Sequence, residues 1–190
     1  MPVSKSPAVR QLIAPRTAHG LSTAAVFQEN APFAWRVLRR LGVAEADADD
    51  VCQEVFVTVH RRLGDFEARS SVRTWVYGIC VRTASDYRRR TRTRREVTLE
   101  TPPDTSVGPH QEDDLSLRRA RDTLDRILEQ IDEDKRVVFV LFEIEELPMA
   151  DVATVVGCPL QTAYSRLHAA RRDVEAALER LQARDGRRTP

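Results

Sequence analysis

The sequence predicts an all-α protein: two small helical domains joined by a flexible linker, the C-terminal one containing a helix-turn-helix. Three observations lead there. Apolar residues recur at three- and four-residue spacing through most of the chain. Only 7 glycines occur in 190 residues and 31% of the chain is charged, against the composition of sandwiches, barrels and Gly-rich nucleotide folds. The helical pattern collapses once, over TRTRREVTLETPPDTSVGPHQEDD, where Pro102-Pro103, Gly108 and Pro109 mark a linker.

Residues 1–20 are polar, contain Pro2, Pro7 and Pro15, and are expected to be a disordered extension. Ser22 or Thr23 caps a first helix, interrupted near Asn30-Ala-Pro32, resumed through Phe33, Val37, Leu38 and Leu41, and closed by Gly42. A second helix runs from about Asp47 to Leu63, with Val51, Val55 and Val59 on one edge beside Cys52 and Phe56, and Gly64 stops it. After a short loop, a third runs from Ser71 to about Arg90, burying Val72, Trp75, Val76, Ile79, Cys80 and Thr83. The domain boundaries are therefore 21–91, a linker over 92–114, a second domain over 115–182 and a disordered tail over 183–190. In the second domain Leu117, Leu124, Ile127, Leu128 and Ile131 form one stripe, followed by Val137, Val138, Val140, Leu141 and Ile144.

The stretch LPMADVATVVGCPLQTAYSRLHAARR, Leu147 to Arg172, reads as two helices around a tight turn. Gly157 suits the left-handed residue that ends the first, and Pro159 suits the start of the second. Leu160, Ala163, Leu167 and Ala170 make the buried stripe of the second helix. Gln161, Thr162, Tyr164, Ser165, Arg166, His168 and Arg171 fall largely outside it, as in a helix presented to the major groove. A plain packing hairpin would share the turn.

A formal net charge of +1 hides strong segregation. Arg61 to Arg95 carries 11 arginines against three acids, and Val43 to Glu54 carries five acids and no base. Acids again exceed bases from Glu112 to Asp151, and bases dominate from Arg166 onward. Such blocks imply two kinds of partner, a polyanion and a basic protein surface.

No apolar run approaches the roughly 18 residues of a membrane span, and Ala8 to Ala14 is broken by Arg10 and Gln11, unlike a signal peptide. A soluble, cytoplasmic protein with no membrane insertion is expected. Cys52, Cys80 and Cys158 lack metal-ligand spacing and read as packing groups, so no metal or other cofactor is expected. There is no P-loop or GxSxG, and nothing brings Ser70-Ser71, His60 and the carboxylates together; an enzyme is not expected and no catalytic residue is assigned.

DADDVCQEVF (Asp47 to Phe56), with FEARSSVRTWVYGICVRTASDYRRR (Phe66 to Arg90), resembles the first conserved domain of bacterial RNA polymerase sigma factors of the extracytoplasmic-function (ECF) type. LDRILEQIDEDKRVVFVLFEIEELPMADVATVVGCPLQTAYSRLHAARR resembles their second, promoter-reading domain, and the two blocks cover about residues 22–180. The resemblance implies a transcription initiation factor that binds core polymerase, reads a −35 element with the second domain, and melts and holds the −10 element with the first. It implies Asp50, Gln53 and Glu54 as the face for the β′ clamp helices, with the β subunit as a further contact, and an anti-sigma factor as regulator. It implies that the loop Asp65 to Ser71 holds an unstacked −10 base, so Phe66, Arg69, Ser70, Arg73, Arg82, Arg88 and Arg89 are the −10 candidates. Gln161, Thr162, Tyr164, Ser165, Arg166, His168, Arg171 and Arg172 are the −35 candidates.

Trp75 is expected in the core, while Tyr77 and Tyr87 suit either core or DNA. The chain departs from the family's usual residues at Gly78 and Arg82 in the −10 helix, at Tyr164 and Ala169 in the recognition helix, and at Pro148, where a capping Ser or Thr is common. A helix-turn-helix repressor or activator independent of polymerase is the alternative, and a helical scaffold or nuclease-like enzyme a third; the acidic helix and long linker favour neither.

Overall fold

The structure, a computed structural model, describes residues 20–97 and 112–185. The expected extension (residues 1–19), positions 98–111 of the expected linker and the tail beyond 185 lie outside the described residues.

The first unit is three helices. Helix α1 (Thr23–Arg40) starts at Ser22, whose hydroxyl accepts a hydrogen bond from the Ala25 amide at 3.1 Å. The expected interruption at Pro32 does not occur: α1 runs straight through it. Proline removes one ladder donor, but its ring lies on the exposed side, and the buried Asn30 amide is satisfied by donating to the Val26 carbonyl at 2.7 Å. Helix α2 (Glu45–Arg62) buries Val51, Cys52, Val55, Phe56 and Val59, as the spacing requires, and passes into a short 3-10 turn, Leu63–Asp65. Helix α3 (Val72–Val97) is capped by the Ser71 hydroxyl, which accepts from the Thr74 amide at 3.0 Å. It outruns its expected end at Arg90 because arginine favours helix and no glycine or proline follows until Pro102.

The second unit contains α4 (Glu112–Glu129), α5 (Glu133–Phe139), a five-residue π-turn (Val140–Ile144), α6 (Met149–Val156) and α7 (Leu160–Asp185). Asp132 caps α5 by accepting from the Asp134 amide at 3.1 Å. Helices α6 and α7 form the helix-turn-helix, with Gly157 at φ +67° ending α6 and Pro148 at its N-cap without a side-chain bond. Ala163, Leu167 and Ala170 are buried as expected, but Leu160 is 48% exposed. It is the first residue of α7, between exposed Pro159 and Gln161, ahead of the part that packs on α5 and α6.

In this conformation the two units share one continuous core, with α3 against α6 and the end of α1 against α4. Polar groups set the register of the contact. Arg136 of α5, buried, donates to the carbonyls of Ile131 (2.9 Å) and Glu129 (3.2 Å) in its own unit and reaches the Leu41 carbonyl of the first unit at 3.5 Å. Arg88 of α3 donates to that same Leu41 carbonyl and pairs with Glu133 across the interface. Arg39 pairs with Asp125 at 3.5 Å, and Arg40 with Glu145 at 2.6 Å. Gly42 makes room for this: a Cβ there would lie 2.5 Å from Arg136 Nη1, and its φ of +91° is one that side chains resist.

Gly42→Ala should therefore lower the unfolding free energy of the full chain by about 1–3 kcal/mol, the usual range for such backbone strain. Gly64→Ala, where nothing lies within 4 Å of the added methyl and φ is not positive, should change it by less than about 1 kcal/mol. Urea titration of both variants measures the contrast, and equal stabilities would remove Arg136 from its seat beside Gly42.

Candidate polymerase and promoter interfaces

On α2 the buried edge turns Asp50, Gln53 and Glu54 to solvent, with Val57 and His60 continuing the same face. Glu54 pairs with Arg90 of α3 at 3.0 Å, and the neighbouring Asp49 accepts from the Trp35 indole at 2.9 Å. An open groove between α1 and α2 runs beside these acids, lined by Phe27, Trp35, Cys52, Gln53, Phe56 and Val57. Phe27 and Val57 are among the few large apolar residues left exposed, and Phe27 meets Phe56 edge-to-face at 4.8 Å. The acidic face therefore borders an apolar trough. Phe27 and Trp35 are not singled out by the sequence; their signal is a second apolar edge on α1 at spacing 27, 31, 35, outside its core stripe.

The expected −10 residues do not form one surface. Phe66 is a correction: only 8% exposed, its ring lies 5.3 Å from Trp75 and fills the base of the loop, so it is no stacking platform in this conformation. Arg69 is exposed beside Glu67, and Ser70 is half-buried. Arg73 is exposed over about half of its side chain, and its guanidinium stacks 4.8 Å above the Phe33 ring. Arg82 lies along α3 over the bare backbone of Gly78, where burial and then the charge of Arg62 lower its pKa. Among the described residues Arg82 has no acidic partner.

Arg88 is a second correction. It points inward, its side chain 13% exposed, because it joins Leu41 to Glu133. Glu133 is held below its ordinary pKa: burial alone would raise it, but hydrogen bonds from Arg88 and Ser85 and the charges of Arg88 and Arg136 more than offset that. Arg89 stays exposed, 2.9 Å from Asp86 one turn back. The arginine run thus divides three ways: Arg88 to the second unit, Arg89 to solvent, Arg90 to Glu54.

Both tyrosines left open are anchored. Tyr87 donates to Asp47 at 2.5 Å and accepts from the Ala44 amide at 3.4 Å. Tyr77 is fully buried; burial, followed by its hydrogen bond to Glu145, pushes its phenol up, so it stays protonated.

On α7 the exposed residues Gln161, Ser165, His168 and Arg172 follow one another at three- and four-residue steps, and exposed Tyr164 lies beside them, three residues after Gln161 and four before His168, in one continuous stripe. Arg171 is exposed but pairs with Glu143 at 2.6 Å, and Thr162 is half-buried. Arg166 is placed differently from the expectation: half-buried, it pairs with Asp134 of α5, so it braces the helix against its own domain. The Ser165 hydroxyl donates to the Gln161 carbonyl at 3.0 Å.

Among the described residues no helix is long and apolar enough to cross a membrane. Cys52 and Cys80 are buried free thiols, and burial pushes both up in pKa.

Residues 26–94 match the family described as Sigma-70 region 2, and residues 121–174 match Sigma-70, region 4. The chain is 37% identical over 145 residues to the RNA polymerase sigma-H factor of Pseudomonas aeruginosa, covering 71% of this chain and 75% of that protein. It is 30% identical over 148 residues to the ECF RNA polymerase sigma-E factor of Escherichia coli K12, covering 73% and 78%. Among solved structures, the sigma factor RpoE in complex with the anti-sigma factor NepR, from Bartonella quintana, superposes with a TM-score of 0.66 at 21% identity, covering 80% of this chain and 94% of that one. CnrH in complex with the cytosolic domain of CnrY superposes with a TM-score of 0.62 at 22% identity, covering 83% and 87%. Regions 2 and 4 correspond to the two helical units in order, and the chain belongs to the ECF group of the sigma-70 family of RNA polymerase sigma factors.

Proposed function

We propose a residue-level division of labour for the sigma-factor function that family membership establishes. The acidic face Asp50, Gln53 and Glu54 on α2, with the adjoining groove of Phe27, Trp35 and Val57, docks on the basic β′ clamp helices of core polymerase. The acids set orientation and association rate, and the apolar trough supplies the surface whose burial gives affinity. The stripe Gln161, Tyr164, Ser165, His168 and Arg172 enters the major groove of the −35 element, with Arg171 beside it and Arg166 as a brace. Arg69, Ser70, Arg73, Arg82 and Arg89 track the opened −10 strand. The domain limits fall near the ends of the two helical units.

The observation that carries this reading is the pairing, in one chain, of a solvent-facing acidic edge on α2 with an uninterrupted polar stripe on α7. An operator-binding repressor needs the second and has no use for the first. One solved neighbour is the sigma factor RpoE bound to the anti-sigma factor NepR and another is CnrH bound to the cytosolic domain of CnrY, which supports control of this chain by a second protein of that kind.

Run-off transcription with purified core polymerase should yield discrete transcripts from a subset of promoters of the chain's own genome, and none without the chain. Asp50→Lys combined with Glu54→Gln should weaken core binding at least tenfold, about 1.4 kcal/mol, with the thermal midpoint of the free protein within a few degrees of the parent; unchanged core affinity would remove this face. On −35 duplex, Gln161→Ala should lose roughly 1–3 kcal/mol of sequence discrimination. Arg172→Ala should instead flatten the slope of log affinity against log salt by about 0.9 while leaving sequence preference intact. Equilibrium titrations at several salt concentrations separate the two.

A further inference from the structure

One anion-binding arrangement in region 2 is occupied by the chain itself. Arg40, at the end of α1, points its Nη1 at Glu145 Oε1, 2.6 Å away. Tyr77, on α3, donates to Glu145 Oε2 at 2.6 Å, and Arg73 Nη2 lies 3.6 Å from that same oxygen. Arg73 Nε also donates to the Tyr77 hydroxyl at 3.2 Å, and its guanidinium rests on the Phe33 ring. Each carboxylate oxygen is therefore met by its own donors, and one arginine fork is also held by stacking on Phe33. Arg40, Arg73 and Tyr77 all belong to region 2; the guest, Glu145, comes from region 4 and is 4% exposed at its side chain.

The backbone that delivers Glu145 is distorted. Helix α5 widens into the π-turn, the Glu145 amide bonds to the Val140 carbonyl five residues back at 3.0 Å, and Glu146 follows at φ +56°. A π-turn and a left-handed non-glycine residue in succession are unfavourable and persist where surrounding contacts demand them. Here they place one carboxylate in the pocket of the other domain.

We infer that Arg40, Arg73 and Tyr77 form a phosphate-accepting site of region 2, which Glu145 fills while the domains are packed and a backbone phosphate of the opened −10 strand fills when they part. The inference rests on the reading of the Asp65 to Ser71 loop and α3 as the −10 strand track. A phosphodiester, like a carboxylate, offers one negative charge over two oxygens to an arginine fork and a hydroxyl donor. Arg73 lies within one helical turn of Ser70 and Ser71, so the site continues that track. Domain closure and single-strand binding then compete for the same three side chains, and each weakens the other by the same factor. The −35 stripe of α7 stays exposed throughout.

The full-length chain tests this with two readouts: radius of gyration by solution scattering, and anisotropy of a fluorescein-labelled oligodeoxythymidine of about 12 nucleotides at low salt. Glu145→Gln keeps the size and removes the charge; it should expand the chain and tighten the oligonucleotide at least fivefold. Adding Arg40→Ala or Tyr77→Phe to Glu145→Gln should abolish that gain while the chain stays expanded, with melting curves checking that each variant folds. Expansion without tighter binding, or tightening that survives Arg40→Ala and Tyr77→Phe, overturns the phosphate assignment. No change in either readout for Glu145→Gln overturns the competition. Opening by oligoglutamate but not by the oligonucleotide would assign the site to an acidic protein and also overturn it. If even the expanded variant binds no oligonucleotide, the −10 strand reading itself fails and this inference falls with it.

Discussion

The packing of region 4 on region 2 turns on one backbone carbonyl. Leu41 accepts from Arg88 of its own domain and Arg136 of the other, so two guanidinium groups converge where α1 ends. Like charges brought together away from water repel, and burial and then Arg88 lower the Arg136 pKa. Glu133, kept ionised by the hydrogen bonds it receives, balances part of that charge. Partly buried ion pairs of this kind fix geometry as much as they add stability, since desolvation offsets part of the attraction. These polar partners accordingly fix the register of the interface, while its apolar contacts belong to the shared core.

This also explains a chain with thirty basic and twenty-nine acidic residues in segregated blocks. Read as a sequence, the blocks point outward to a polyanion and a basic protein. In the structure many of them first meet each other: Arg39 with Asp125, Arg40 with Glu145, Arg88 with Glu133, and Arg90 with Glu54. Acids of α4 and α5, and Glu145 just past the π-turn, pair with cations of region 2. A net charge near zero is thus not neutrality of function; it is the condition that lets the two domains neutralise each other.

The helical class, the two units, a cap at the start of α1 and the helix-turn-helix with Gly157 were legible because each depends on local spacing or on one residue's conformational preference. Periodicity says which face of a helix is buried but not what covers it. Hence Tyr77 stayed ambiguous: its hydroxyl lies at a contact between residues 68 apart in sequence. The partners of Arg88 and Arg166 in this conformation, Glu133 and Asp134, are illegible for a related reason, since a long arginine reaches well off its own helix face. Phe66 differs in the opposite sense: a loop aromatic next to arginines has the composition of a stacking platform, but its ring packs against Trp75. The acidic face of α2 was readable, whereas its apolar trough needed α1 and α2 side by side.

The two DNA-facing surfaces differ in availability, and that difference has a mechanistic consequence. The α7 stripe has no part in the domain contact, so duplex −35 DNA can engage a closed chain. In region 2, by contrast, Arg40, Arg73, Tyr77 and Arg88 are all committed to groups on region 4. A ligand shifts such an equilibrium only by the difference in its affinity for the two states. Duplex binding at α7 alone therefore leaves the closed and open populations where they were. On the proposed reading, a partner that engages α2 and region 4 together, or a single strand at Arg40, Arg73 and Tyr77, discriminates between them. On that same reading opening is tied to assembly, because Arg40, Arg73 and Tyr77 are released only when Glu145 withdraws.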